Sequence, residues 1–271
     1  MNQHDVVGHD EWLAARQALL AREKEFTRLR DELSRARRAL PWELVETPYV
    51  FAGPDGPVTL ADLFDGRSQL IVYHFMFDPA DAWDAACRHC SFWADNFDPL
   101  VVHLNARDVS MVAISRAQID KIERYRQRMG WTFTWLSSYE NEFNHDFGVS
   151  FPADERELPV YNFGTLAPGM ANREGISVFV RDDEGRVLRA YSTYARGLDM
   201  LNTAYHYLDL VPKGRGEEGH APDESVVVRI FTSCSFCVGS RPRLLRNQSY
   251  SPSMPLRAPP NLNPPRTKRS A

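Results

Sequence analysis

At 271 residues, with 36 acidic against 32 basic side chains and a formal net charge of −4, the chain is long enough to bury a core without disulfide staples. It carries no excess of positive charge that would recruit nucleic acid or an anionic membrane as its main partner. Its longest apolar run, Leu70 to Phe77, is far short of the roughly 20 residues of a membrane helix, and its first residues lack the basic, apolar and small-residue succession of a secretory signal. A cytoplasmic location is expected. In that reducing compartment a Cys-x-x-Cys pair points to redox or metal chemistry rather than to a structural bridge.

In chain order, Trp12, Leu19, Phe26, Leu33 and Leu40 recur every seven residues with charges between them, which predicts one amphipathic helix within residues 1–40, closed by Pro41. Its stripe is expected to dock on the main domain, with a homodimer seam as the alternative, and Asp31 is spaced to pair with Arg35. Gly53-Pro54-Asp55-Gly56 marks a turn, Thr59 is placed to cap a short helical turn, and the run from Leu70 predicts a buried central strand. After Cys87 and Cys90 a helix is expected with Phe92, Trp93, Phe97 and Leu100 inward. A strand at Val109–Arg116, a helix at Gln118–Gly130 and a strand at Thr132–Ser138 follow. Residues 151–173 read as a turn-rich surface excursion. Asp183-Glu184-Gly185 joins two strands as a hairpin, and Leu198–Val211 reads as a closing helix. Strands alternating with helices predict an α/β fold with a parallel or mixed sheet. The proline-rich, basic residues 216–271 read as a low-complexity, disordered tail, leaving 41–215 as the main domain.

The cysteine pair carries the chemistry. Cys87 falls where a helix should begin, so the free N–H groups and dipole of the first turn favour its thiolate. Cys90 follows one turn on, within reach for a disulfide. Arg88 and His89 between them add positive charge that favours the same state, while Asp81, Asp84 and Asp95 would oppose it. A zinc site would need Cys234 and Cys237 as its second pair, and that gap spans most of the fold rather than the spacing of a zinc ribbon. Two reduced cysteines packed as small hydrophobes are the plainer alternative. Trp83, Trp93, Trp131 and Trp135 crowd the motif as packing or as an aromatic rim. Arg196, Asp199, Tyr194, Tyr205 and Tyr207 are further candidates for a pocket wall.

From Trp42 to Leu210 the succession of "DGPVTLADLFDGRSQLIVYHFMF", "VSMVAISR", "FNHDFGVS" and "ISVFVRDDEGRVL" resembles a thioredoxin-like domain with a peroxiredoxin-type lead-in. Together with "CRHCSFWADNF", "MGWTFTWLSS" and "STYARGLDMLN", the chain from about Val6 to Arg215 resembles the bacterial family catalogued as domain of unknown function 899. The resemblance implies a thioredoxin-like mixed sheet flanked by helices, with Cys87 as the attacking and Cys90 as the resolving cysteine. His74 then lies about where thioredoxins carry a buried carboxylate, either as a proton shuttle for Cys90 or as an ordinary core histidine. Ser177 stands at the position of the proline that faces the pair in thioredoxins. The frame of a peroxidatic cysteine is missing, since Asp84 and Ala80 occupy its Thr/Ser and Pro offsets from Cys87. The implied function is thiol–disulfide exchange with a protein or small-molecule thiol or disulfide as partner, calling for no cofactor and no metal. A non-catalytic adaptor or a redox sensor on the same scaffold is the alternative.

Overall fold

The computed structural model describes residues 4–154, 160–165 and 171–216. The chain divides into two units, Met1–Thr232 and Ser233–Ala271. The second unit, with Cys234 and Cys237, lies outside the described residues, as does the expected tail from residue 217 onward.

Helix α1 (His9–Arg38) is followed by a two-residue strand β1 (Glu43–Leu44) and the hairpin β2 (Val50–Gly53) and β3 (Gly56–Thr59). Thr59 and Asp62 then cap a 3₁₀ turn reciprocally. The Asp62 N–H donates to Thr59 Oγ1 at 3.2 Å, and the Thr59 N–H donates to Asp62 Oδ2 at 3.0 Å. Central strand β4 (Gln69–His74) leads through the cysteine segment into α2 (Arg88–Ala94) and α3 (Phe97–Asn105). Next come β5 (Val109–Ser115), α4 (Ile119–Met129), β6 (Trp135–Ser137) and α5 (Phe143–Asp146). Helix α4 stops at Gly130, whose φ of 70° is left-handed and costs glycine little. A small hairpin, β7 (Val160–Tyr161) and β8 (Gly164–Thr165), precedes the long hairpin β9 (Gly175–Arg181) and β10 (Val187–Tyr194). A 3₁₀ segment, Ala195–Leu201, and α6 (Thr203–Leu208) close the described fold.

Eight strands form one sheet in the order β1-β10-β9-β4-β5-β6-β2-β3. Strands β4, β5 and β6 run parallel, with Tyr73 opposite Ala113 and Ala113 opposite Trp135. Strand β9 runs antiparallel to β4, pairing Gly175 with His74 and Ser177 with Val72, and β10 continues the antiparallel side. A β-α-β unit with the cysteine helix after its first strand, completed by an antiparallel hairpin, is the expected thioredoxin-like mixed sheet flanked by helices. The sheet ends on one side in the two-residue β1 and on the other in β3, which carries Pro57.

Alternation along β4 sorts its side chains between two cores. Tyr73, Phe75, Phe77, Trp131 and Trp135 pack with Cys90, Ala94 and Phe97 beneath α2, α3 and α4. Leu70 and Val72 pack with Tyr49, Phe51, Phe64, Phe143, Phe147 and Phe179 on the other side. Covering both faces explains why β4 reads as an unbroken apolar run. Each large side chain so buried contributes roughly 1.5–3 kcal/mol of transfer free energy.

Several expectations change. Helix α1 forms as predicted, but none of its residues is buried and its stripe does not dock on the domain, with Trp12, Phe26 and Leu33 being 55%, 66% and 50% exposed. Its ion pair is Arg16–Glu23 at 2.8 Å rather than Asp31–Arg35. The single helix expected after the cysteines is two, because Pro99 has no N–H to return to the Asp95 carbonyl and its ring crowds that oxygen. The break turns Leu100 outward. The closing helix is likewise split, with Asn202 re-capping its second half through an Ala204 N–H bond of 3.0 Å.

Candidate active site

The segment after β4 folds back to the chain just beyond the end of that strand before α2 begins, because the Cys87 N–H donates to the Met76 carbonyl at 3.2 Å. This places Cys87 at the N-cap of α2, where its Sγ accepts the Cys90 N–H at 3.4 Å. The Ser91 hydroxyl donates to the Cys87 carbonyl at 3.0 Å and lies 3.0 Å from the Tyr125 hydroxyl, fixing the first turn against α4. Cys87 is half-buried, whereas Cys90 is 1% exposed, and its Sγ accepts the Met76 N–H at 3.4 Å. Both thiols are free.

The two sulfurs are electrostatically unequal. The Cys90 thiol donates to Cys87, and this hydrogen bond is the largest influence holding the Cys87 pKa well below the ordinary thiol value. A His89 hydrogen bond, the Cys90 N–H and the His89 charge act in the same direction, and burial opposes them. Cys90 moves the other way. Burial is the main cause, followed by its role as donor to Cys87, the Cys87 charge and the Glu174 carboxylate. Tyr73, buried beside Cys90 and hydrogen-bonded to it, is likewise raised, chiefly by burial.

The predicted site residues divide. Cys87, Cys90 and His89 come together, while Arg88 is exposed and the leading cationic neighbour of Cys87 is His89. His74 and Ser177 meet each other instead, with His74 Nε2 2.9 Å from Ser177 Oγ. His74 stacks on Phe143 and Phe147, on the sheet face away from the cysteines, so it does not serve Cys90 as a shuttle. The reason is parity. Tyr73 takes the cysteine face, and the next residue must take the other. Ser177 pairs with Val72, deeper in the sheet than the end of β4, and does not face the pair.

The end of β9 nearest the cysteines is preceded instead by Glu174, whose carbonyl accepts the Tyr161 hydroxyl at 2.6 Å. Glu174 and Tyr73 are the neighbours that sequence reasoning missed. Tyr73 was legible from strand parity, whereas Glu174 depends on a distant pairing. Trp131 and Trp135 are core, and Trp83 lies under the Arg124 guanidinium at 4.2 Å. Asp95 accepts from Trp131 Nε1 at 2.9 Å, and Asp81 accepts the Asp78 N–H at 2.9 Å. Arg196 pairs with Asp199, which also holds Arg215 at 2.9 Å, while Tyr194 donates to the Phe147 carbonyl and Tyr205 packs edge-on against Trp93. Among the described residues no helix is long and apolar enough to cross a membrane.

Solved structures similar to this chain include a peroxidoxin BcpB from Mycobacterium tuberculosis, at 17% identity over 59% of this chain and 92% of that one, with a TM-score of 0.40. Peroxiredoxin Q from Xanthomonas campestris is similar at 14% identity over 62% and 96% of the two chains, with a TM-score of 0.41. A comparison with curated proteins gives no match. The family described as "Bacterial protein of unknown function (DUF899)" matches residues 1–231, beyond the point near residue 215 where the sequence resemblance was expected to end, and the chain belongs to that family.

Proposed function

We propose that the protein is a thiol–disulfide oxidoreductase of thioredoxin-like type, with Cys87 attacking and Cys90 resolving. The observation that carries this reading is a half-buried Cys87 Sγ at the head of α2 that accepts the Cys90 N–H at 3.4 Å, next to a Cys90 that is 1% exposed. Only one of the two sulfurs can be met first by a substrate. The Cys87 thiolate attacks one sulfur of a substrate disulfide, forming a mixed disulfide and releasing the other sulfur as a thiolate. Cys87 then carries no charge and no longer takes the Cys90 hydrogen bond, so two of the influences holding the proton on Cys90 vanish. Cys90 gives that proton up to water, and its thiolate attacks Cys87 Sγ. The second substrate sulfur leaves, and a Cys87–Cys90 disulfide remains. The substrate gains two electrons and the protein loses them, so an external thiol reductant must return them.

The test is the pH dependence of iodoacetamide alkylation in the reduced protein, beside reduction of a small-molecule disulfide with dithiothreitol as electron source. An apparent pKa well below the free-thiol value of about 8.5, seen in Cys90→Ser and lost in Cys87→Ser together with turnover, is the expected result. Thiols that stay inert in the folded protein, or turnover indifferent to Cys87→Ser, would overturn the assignment.

A further inference from the structure

Helix α1 runs for 30 residues, about 45 Å, without burying one of them. Most helices in proteins are held by packing an apolar face, so an exposed face this long wants a partner. With Trp12, Leu19, Phe26 and Leu33 at heptad position a, position d holds Ala15, Arg22, Leu29 and Ala36, giving an apolar seam with one charged d position, Arg22. The flanks separate by sign. Position g holds Glu11, Ala18, Glu25 and Glu32, and position e holds Arg16, Glu23, Arg30 and Arg37.

From this charge pattern we infer that α1 pairs with α1 of a second copy of this chain as a parallel two-stranded coiled coil. In a parallel pair each g residue faces the partner's e residue five positions on. That sets Glu11 against Arg16, Glu25 against Arg30 and Glu32 against Arg37, on both sides of the seam. An antiparallel pair sets g against g and e against e, facing Glu with Glu and Arg with Arg along most of its length. The flanks therefore choose both the occupant and its direction. Arg16 and Glu23, both exposed in their own helix at a spacing of 2.8 Å, are a weak pair that the partner's Glu11 can replace. Because β1 begins at Glu43, shortly after α1 ends at Arg38, a parallel coil holds the two thioredoxin-like domains at the same end.

The test is the molar mass of the full chain by light scattering across a dilution series, with three variants. Wild type should show twice the chain mass at tens of micromolar. Leu19→Asp/Phe26→Asp should run as a monomer whose Tm no longer depends on concentration and whose thioredoxin-like domain stays folded, since neither side chain is buried in its own chain. Glu11→Arg/Glu25→Arg should weaken the dimer at least tenfold, and adding Arg16→Glu/Arg30→Glu should restore it. A wild-type monomer at every concentration overturns the inference. A dimer indifferent to the seam variant overturns it as well, by placing the contact elsewhere. A dimer strengthened by Glu11→Arg/Glu25→Arg overturns the parallel orientation, because that change relieves the g-to-g repulsion of the antiparallel pair. None of these readouts depends on the thiols, so they stand apart from the test of the redox assignment.

Discussion

Lowering the pH from 7 to about 4.5 should cost the fold roughly 2.5 kcal/mol at one residue, His74. The side chain is fully buried against the Phe143 and Phe147 rings, its Nε2 lies 2.9 Å from Ser177 Oγ, and its Nδ1 has no hydrogen-bond partner among the described residues. Burial first, then the positive charge of Arg189, push its pKa down from 6.5 to about 3. At pH 7 the imidazole is neutral in the folded chain and about three-quarters neutral in the unfolded one, so it contributes little. Below 6.5 the unfolded chain takes up a proton that the folded chain refuses until about pH 3, so stability falls by about 1.4 kcal/mol per pH unit across that window. Urea unfolding followed by far-ultraviolet circular dichroism at the two pH values gives the total loss, to which carboxylates also contribute. His74→Gln keeps a polar group toward Ser177 and cannot titrate, so its loss should be smaller than that of wild type by the 2.5 kcal/mol estimated above. Equal losses in the two proteins, within about 0.5 kcal/mol, would refute the picture of a neutral histidine locked in an apolar core.

Two further outcomes follow from the thiol environment. His89→Ala removes a hydrogen bond and a charge that lower the Cys87 pKa, so the alkylation profile should move to higher pH, while Arg88→Ala should move it less. Stopped-flow alkylation of both variants checks the order, and equal shifts would contradict it. Glu174→Gln removes a negative charge that raises Cys90, so the profile of Cys90, read in Cys87→Ser, should move to lower pH. An unmoved profile would mean that the carboxylate is not felt at the buried sulfur.

What was legible in the sequence was local. The N-cap position of Cys87, the left-handed Gly130 that ends α4 and the Asp183-Glu184-Gly185 turn, with Gly185 at φ 80°, depend on a few neighbouring residues and their dihedral preferences. The thioredoxin-like order of elements follows from a succession of such signals. For His74 the plainer of the two readings holds, a core histidine on the central strand, and parity with Tyr73 is what turns it to the face opposite the cysteines. Glu174 was beyond reach because only the antiparallel pairing of β9 with β4, Gly175 opposite His74, carries it to the end of the central strand. Pro99 was in plain view and should have divided the helix after the cysteines. The stripe on α1 declared that the helix is amphipathic, but a periodicity describes only one surface of a contact. What it meets is a separate question, answered by the charges on either side.

The two ends of the sheet bear on how copies of this protein can meet. A strand at an edge offers a row of unpaired N–H and C=O groups onto which another chain can add. At one end that row is two residues long, in β1, and at the other it is interrupted by Pro57, which has no N–H to offer. Growth by strand addition is thereby discouraged at both margins. Contact between copies is left to side chains, where number and direction can be chosen, rather than to backbone, where an open ladder has no natural stopping point.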